Sequence, residues 1–134
     1  MVDRQTIQSL IDRAYALRKN GDVEGIVALF HPQAVFELAG SKAVTPVVGA
    51  VRGHQDLRTT LAGLISAFEF IERDVICTVI DGERAAIQSR VKLRYIPKNR
   101  TVTTDMLDLW RFENGKVTEF VEFADTATIN DLMK

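Results

Sequence analysis

Apolar positions in the first half of the chain recur at helical spacing and predict three helices. The first helix is expected to run from a cap at Asp3 to the stop signal Asn20-Gly21. The second begins at the cap Asp22 and ends before Pro32, because proline disfavours helix in the preceding residue. The apolar positions of the three helices are, in order, Ile7, Leu10, Ile11, Ala14 and Leu17; Val23, Ile26, Val27 and Phe30; and Leu57, Leu61, Leu64, Ile65 and Phe68.

The rest of the chain predicts strands. A strand is expected at residues 34–38, and residues 39–53, with three glycines and Pro46, suit a loop or an irregular edge strand. Turn signals at residues 81–82, 97–100 and 114–115 separate four further strands. The predicted fold class is therefore α+β, with three N-terminal helices packed on a curved antiparallel sheet, as one domain over residues 1–134.

Two of the predicted strands show which faces are covered. The strand at 87–95 has an apolar face and a charged face carrying Gln88, Arg90, Lys92 and Arg94. The strand at 104–112 has large apolar groups on both faces. Because three helices cover only one face of the sheet, the second face is expected to meet another copy of the chain in a homodimer.

Composition excludes several function classes. Seventeen Lys and Arg against eighteen Asp and Glu give a net charge of -1, which lacks the positive excess of a nucleic-acid or membrane binder. The basic residues Arg90 to Arg100 are interpreted as a solvated or dimer-facing surface. The first residues lack the order of a signal peptide, and no apolar run reaches the length of a membrane span. Neither nucleic acid nor membrane is expected as a partner.

Cysteine, histidine and glycine usage indicates the compartment and the cofactors. Cys77 has no second cysteine to pair with, and its apolar neighbours predict a buried, inert thiol in the cytoplasm. The two histidines lack zinc-site spacing, and the eight glycines form no phosphate-binding loop. No metal and no cofactor is therefore expected.

Four segments resemble a known family over nearly the whole chain. They are GDVEGIVALF at 21–30, AVFE at 34–37, DLWRF at 108–112 and GKV at 115–117. Together they resemble the ketosteroid isomerase and SnoaL-like branch of the nuclear transport factor 2-like superfamily. The resemblance implies a conical α+β fold whose sheet encloses an apolar cavity capped by helices. Related members include isomerases, epoxide hydrolases, polyketide cyclases, dehydratases and proteins without known catalysis.

The catalytic residues of ketosteroid isomerases have only one counterpart here. The resemblance places the proton-abstracting base at Leu38, which cannot move a proton. It places the helix-one tyrosine at Ala14, with Tyr15 adjacent but rotated by about 100° around the helix. The protonated aspartic acid of the oxyanion hole corresponds to Asp108. A standard ketosteroid isomerase is therefore not expected.

A second carboxylate, Glu122, corresponds by its distance from Gly115 to a catalytic acidic residue of limonene epoxide hydrolase-like relatives. Its orientation depends on the hairpin. A two-residue turn pairs Asp108 with Val121, whereas a three-residue loop pairs Asp108 with Phe120 and Met106 with Glu122. The three-residue loop is favoured and makes the carboxylates diagonal neighbours about 7 Å apart.

Two functions remain open. The first is a small cofactor-free enzyme that performs acid-base chemistry, of the isomerase, dehydratase, cyclase or epoxide-hydrolase type, on an apolar oxygen-bearing molecule. The alternative is a non-catalytic dimeric protein that binds a small ligand. The absence of a base at Leu38 favours this alternative. An Asp108 bonded to an arginine, or a Glu122 turned to solvent, would favour it too. The candidate catalytic residues are Asp108, Glu122 and Tyr15. The candidate ligand contacts are Phe36, Leu38, Val91, Met106, Trp110 and Phe120.

Overall fold

The first two helices begin where the sequence supplies a capping carboxylate. In the computed structural model, which describes residues 3–134, Asp3 accepts from the Thr6 amide at 2.8 Å and Asp22 from the Gly25 amide at 2.9 Å. Met1 and Val2, part of the segment in which no signal peptide was expected, lie outside the described residues. The helices are α1 (Arg4–Lys19), α2 (Val23–Leu29), α3 (His54–Ala67) and α4 (Thr126–Met133).

The first three helices confirm the prediction, and α4 was not predicted. This helix is short, and only Ile129 and Leu132 are buried, so its apolar periodicity is too brief to distinguish it from the end of a strand. Its N-cap was nevertheless present in the sequence, since Asp125 accepts from the Thr128 amide at 3.2 Å. The chain therefore ends in a helix that packs back toward the sheet.

Six strands form one sheet in the order β2-β1-β6-β5-β4-β3. The strands are β1 (Phe30–Ala39), β2 (Gly49–Arg52), β3 (Phe68–Asp81), β4 (Arg84–Tyr95), β5 (Arg100–Glu113) and β6 (Lys116–Ala124). All neighbours are antiparallel except β1 and β6, which run parallel. That pair differs from the expected all-antiparallel sheet; β1 and β6 are joined through the rest of the chain, so no tight turn fixes their direction.

The core lies between the helices and the inner face of the sheet. One buried cluster joins α1, α2 and α3 to β1, β5 and β6 around Ile11, Phe36 and Trp110. A second cluster joins α4 to β3, β4 and β5 around Met106 and Ile129. The two clusters anchor the helices over opposite ends of the same face, and the functional site described below lies between them.

Cys77 is exposed, so the prediction of a buried thiol is wrong. Strand β3 pairs with β4 through two irregularities, between Phe70 and Glu72 and between Val75 and Cys77. Each extra residue reverses the alternation of faces, so the two together leave Cys77 where a regular strand would place it, opposite Gln88 on the outer side of the sheet. The apolar residues around it, Val75 among them, are themselves exposed and do not bury the thiol. The cytoplasmic location inferred from this thiol stays a prediction.

The outer face of the sheet combines ion pairs with apolar side chains. Arg90 binds Asp105 at 2.9 Å and Arg94 binds Glu69 at 2.8 Å, so part of the basic surface is balanced by acids of the neighbouring strands. Beside these pairs, Val79, Leu107, Leu109 and Phe123 are exposed. Within residues 3–134, no helix is long and apolar enough to cross a membrane.

Candidate active site

A cavity of about 120 Å³ lies between the helices and the inner face of the sheet. Its wall contains five of the six predicted ligand contacts, namely Phe36, Leu38, Met106, Trp110 and Phe120. Val91 is the exception. It is 1% exposed and packs in the second core cluster with Met106 and Ile129.

The hairpin between β5 and β6 has neither of the predicted registers. Asn114 and Gly115, with φ of 51° and 77°, form a two-residue turn that pairs Glu113 with Lys116. Beyond the turn, Thr118 is an extra residue in β6, and this bulge shifts the register by one position. As a result Asp108 lies directly opposite Glu122, and not opposite Val121 or Phe120.

Asp108 and Glu122 therefore form a carboxyl pair at the cavity. Asp108 is 3% exposed, whereas Glu122 is half-buried and lines the cavity. Burial raises the pKa of both groups, and the charge of Asp108 raises that of Glu122 further. Within residues 3–134, Asp108 Oδ1 receives no N–H or hydroxyl donor. A proton shared between the two opposed carboxyls would satisfy this oxygen.

The Tyr15 hydroxyl donates a hydrogen bond to Asp108 Oδ2. Tyr15 is rotated around α1 from the expected position at Ala14, but its side chain is long enough to reach Asp108. Ala14 and Tyr15 both line the cavity. Burial, followed by the charge of Asp108, raises the pKa of Tyr15, so the hydroxyl stays a donor. The structure thus brings all three candidate catalytic residues together: Tyr15 donates to Asp108, and Glu122 lies directly opposite Asp108 on the neighbouring strand.

Aromatic rings form one wall of the cavity. Trp110 makes edge contacts with Tyr15, at 5.7 Å between ring centroids, and with Phe120, at 4.6 Å. Phe36 stacks on Phe120 at 5.1 Å. These contacts hold the Tyr15 ring, and hence its hydroxyl, in a fixed position relative to the carboxyl pair.

Two arginines of the site were missed by sequence analysis. The Arg73 guanidinium carbon lies 3.3 Å from the centroid of the Tyr15 ring, and its charge lowers the pKa of Asp108 and Glu122 against the effect of burial. Arg18 lines the cavity. Arg18 follows Tyr15 by three residues and so shares its side of α1, a spacing that could have identified it. For Arg73 the bulge after Phe70 hides the alternation.

Leu38 lies beside Glu122 in the parallel pair of β1 and β6, and both line the cavity. The position of the absent base is therefore adjacent to a carboxyl group on the neighbouring strand. Among residues 3–134, no three His, Cys, Asp or Glu side chains are grouped so that they could hold a metal ion.

The protein is thus a curved sheet whose inner face is covered by helices and carries a pair of carboxyl groups at a cavity. A comparison with protein families agrees with this description. The SnoaL-like domain family matches residues 11–120. The chain therefore belongs to the SnoaL-like family, within the nuclear transport factor 2-like superfamily. A search of curated proteins finds no match.

Solved structures share the fold across the whole chain. An NTF2-like protein from Burkholderia xenovorans LB400 has 23% identity and a TM-score of 0.84, with 100% of both chains covered. An LEH-like epoxide hydrolase from M. tuberculosis has 16% identity and a TM-score of 0.73, covering 96% of this chain and 87% of its own. The epoxide hydrolase/cyclase-like enzyme SalBIII has 19% identity and a TM-score of 0.76, covering 92% and 94%. At these identities the likeness shows the fold alone.

Proposed function

We propose that this chain is a small enzyme that needs no cofactor and performs acid-base chemistry on an apolar, oxygen-bearing molecule. The observation that carries the proposal is the direct pairing of Asp108 with Glu122 next to Leu38. Glu122 supplies a proton-transferring group beside the position where the resemblance to ketosteroid isomerases places the base. Asp108 supplies the second carboxyl that keeps one proton on the pair.

The two carboxyls have different roles because they differ in access. Glu122 lines the cavity and reaches the ligand, whereas Asp108 lies behind it and accepts from Tyr15. Glu122 donates the shared proton to an oxygen of the ligand, which leaves two carboxylates. The Tyr15 hydroxyl and the charge of Arg73 stabilise this doubly ionised pair. A proton from a ligand carbon, or from a water molecule that attacks the ligand, then returns to the pair.

This cycle is compatible with isomerisation, cyclisation, dehydration and epoxide opening, all of which need one acid and one base. Two of the similar structures are named as epoxide hydrolase-type enzymes, and one of these as epoxide hydrolase/cyclase-like. Their shared fold supports a cavity of this shape as a place for such chemistry. The apolar wall of Phe36, Trp110 and Phe120 excludes water and favours an apolar ligand body.

The proposed enzyme is a homodimer that pairs through the outer face of the sheet. Val79, Leu107, Leu109 and Phe123 are exposed there, on a face that the helices leave uncovered. Arg90 and Asp105 on the same face neutralise each other, so paired charges accompany the exposed apolar side chains. A surface of this kind is complementary to itself under a twofold axis, which favours a second copy as the partner.

The enzymatic proposal is tested with three substrate panels: apolar ketones with exchangeable α-protons, β-hydroxy ketones, and epoxides. Proton exchange in D₂O, dehydration and ring opening are followed by NMR. We expect turnover in one panel, and a loss of about 100-fold or more in Glu122→Gln and in Asp108→Asn. Glu113→Gln, which makes the same change at an exposed position, is the matched control and should keep the wild-type rate.

Wild-type rates in Glu122→Gln and Asp108→Asn would contradict the proposed mechanism. If panel members bind but none is turned over, the chain is instead a small-molecule-binding protein. Circular dichroism of each variant confirms that a lost rate does not come from a lost fold.

A further inference from the structure

Arg18 lines the cavity, whose other lining side chains are apolar apart from Tyr15, Glu122 and Thr126. The side chain is half-buried, and its Nη2 donates to the carbonyl oxygen of Phe68 at 2.8 Å. Its guanidinium carbon lies 4.4 Å from the centroid of the Phe70 ring. These two contacts fix the position of the cation, and its remaining N–H groups are available to a ligand in the cavity.

No carboxylate forms an ion pair with Arg18 within residues 3–134. The ion pairs of this part of the chain involve Arg58, Arg90 and Arg94. Glu122 is the acid whose charge acts on Arg18, but burial and the charge of Asp108 raise the pKa of Glu122 and so favour its neutral form. Burying a guanidinium without a counter-ion costs free energy, and this cost is reduced when an anion binds beside it.

The charges of the site do not balance. Arg18 and Arg73 contribute two positive charges, and the Asp108–Glu122 pair with one shared proton contributes one negative charge. Tyr15 is neutral because burial raises its pKa. The site therefore has an excess of one positive charge in the protonation state that the proposed chemistry requires. A singly charged anionic ligand would neutralise it.

We propose that Arg18 determines the specificity of the cavity by binding a single carboxylate-type group on an otherwise apolar ligand. This inference rests on the proposed function, since it names the substrate class of the same site. The anionic group would lie at Arg18, and the apolar body would lie against the aromatic wall; Glu122 lines the same cavity. Arg18 would orient the ligand and Glu122 would move the proton.

The test compares aromatic and aliphatic carboxylates of increasing size, from benzoate and cinnamate upward, with their primary amides. Trp110 is the only tryptophan of the chain and lines the cavity, so its fluorescence reports occupancy without turnover. We expect the wild-type protein to bind carboxylates about 10- to 100-fold more tightly than the matched amides, as a charge-assisted hydrogen bond provides. Arg18→Met should abolish the preference, and Arg18→Lys should keep part of it.

Arg13→Met makes the same change on the exposed side of α1 and is the matched control. It should keep the wild-type preference. If Arg18→Met lowers Tm and weakens carboxylate and amide equally, Arg18 only ties α1 to Phe68. That result would overturn the inference. So would equal binding of carboxylates and amides by the wild-type protein, or a failure of every carboxylate to bind. Preferential carboxylate binding without turnover would overturn the proposed enzyme but leave the role of Arg18 standing.

Discussion

At the residue scale, the Asp108–Glu122 pair links the protonation of the site to the stability of the fold. Burial and the neighbouring charge raise the pKa of Glu122 well above its ordinary value. Above about pH 4.3 the unfolded chain releases this proton, while the folded pair retains it. The folded state then binds more protons than the unfolded state, so the free energy of unfolding falls as the pH rises toward the raised pKa.

Glu122→Gln should remove this pH-dependent loss of stability. The amide is neutral at every pH, and it can donate to Asp108 in place of the carboxyl proton. We expect the stability of the variant, relative to wild type, to increase between pH 4 and 7 with a slope of at most about 1.4 kcal/mol per pH unit. Urea unfolding at each pH measures the difference. Glu113→Gln controls for the loss of one carboxyl group. A stability difference between Glu122→Gln and wild type that stays constant with pH would contradict the proposed titration of the pair.

At the scale of single elements, backbone conformation decides whether a glycine can be replaced. Gly63 lies inside α3 and Gly115 in the β5–β6 turn, and a Cβ added to either would meet no atom within 4 Å. Gly115 has φ of 77°, whereas Gly63 has an ordinary helical backbone. The two sites therefore separate the effect of conformation from the effect of packing.

We expect Gly63→Ala to raise the free energy of unfolding by about 1 kcal/mol, because alanine favours helix and restricts the unfolded chain. Gly115→Ala should lower it by about 1–2 kcal/mol, because an L side chain is strained at this positive φ. Thermal unfolding of both variants shows whether each substitution raises or lowers the stability. Equal effects would show that the hairpin tolerates a different turn, and the register of Asp108 and Glu122 would then need to be determined again.

The same elements show how much the sequence could predict. The first three helices follow from their apolar spacing, and the first two also from their caps, because each signal lies within a few neighbouring residues. The predicted register of β5 and β6 was wrong because it counted every residue after the turn as paired, whereas the bulge at Thr118 adds one unpaired residue. Val117 and Phe120, both buried and three positions apart, break the alternation of a regular strand and were a local signal of this bulge. The inward position of Arg73 was missed for the same reason, since it depends on a bulge in β3. The exposure of Cys77 was missed because its apolar neighbours are themselves exposed.

The candidate site was predicted in part. The pairing of two carboxyls on the cavity face was anticipated, although through a different register, and the cavity wall contains all but one of the proposed ligand contacts. The contact between Tyr15 and Asp108 could not be predicted, because it depends on how α1 lies across the sheet. Packing at long sequence separation determines it, and spacing along the chain does not report such packing.

At the scale of the whole molecule, the uncovered face of the sheet determines the expected assembly. The helices all lie over the inner face, so the outer apolar residues stay in water unless a second molecule covers them. A stable homodimer interface buries about 800 Å² on each partner. A twofold pairing of β4, β5 and β6 would cover Leu107, Leu109 and Phe123 together.

We expect the wild-type protein to be a dimer by light scattering after size exclusion, and Leu109→Asp to be a monomer, because a twofold interface would bury two facing carboxylates. Leu109 is 39% exposed in the single chain, so the variant should still fold. Val44→Asp is the matched control, since Val44 is 42% exposed but lies in the loop between β1 and β2, away from the outer face. A monomeric wild-type protein would show that there is no such interface. A dimer that only Val44→Asp disrupts would show that the interface lies elsewhere on the molecule. A folded Leu109→Asp monomer that still binds ligand would show that each chain builds its own cavity.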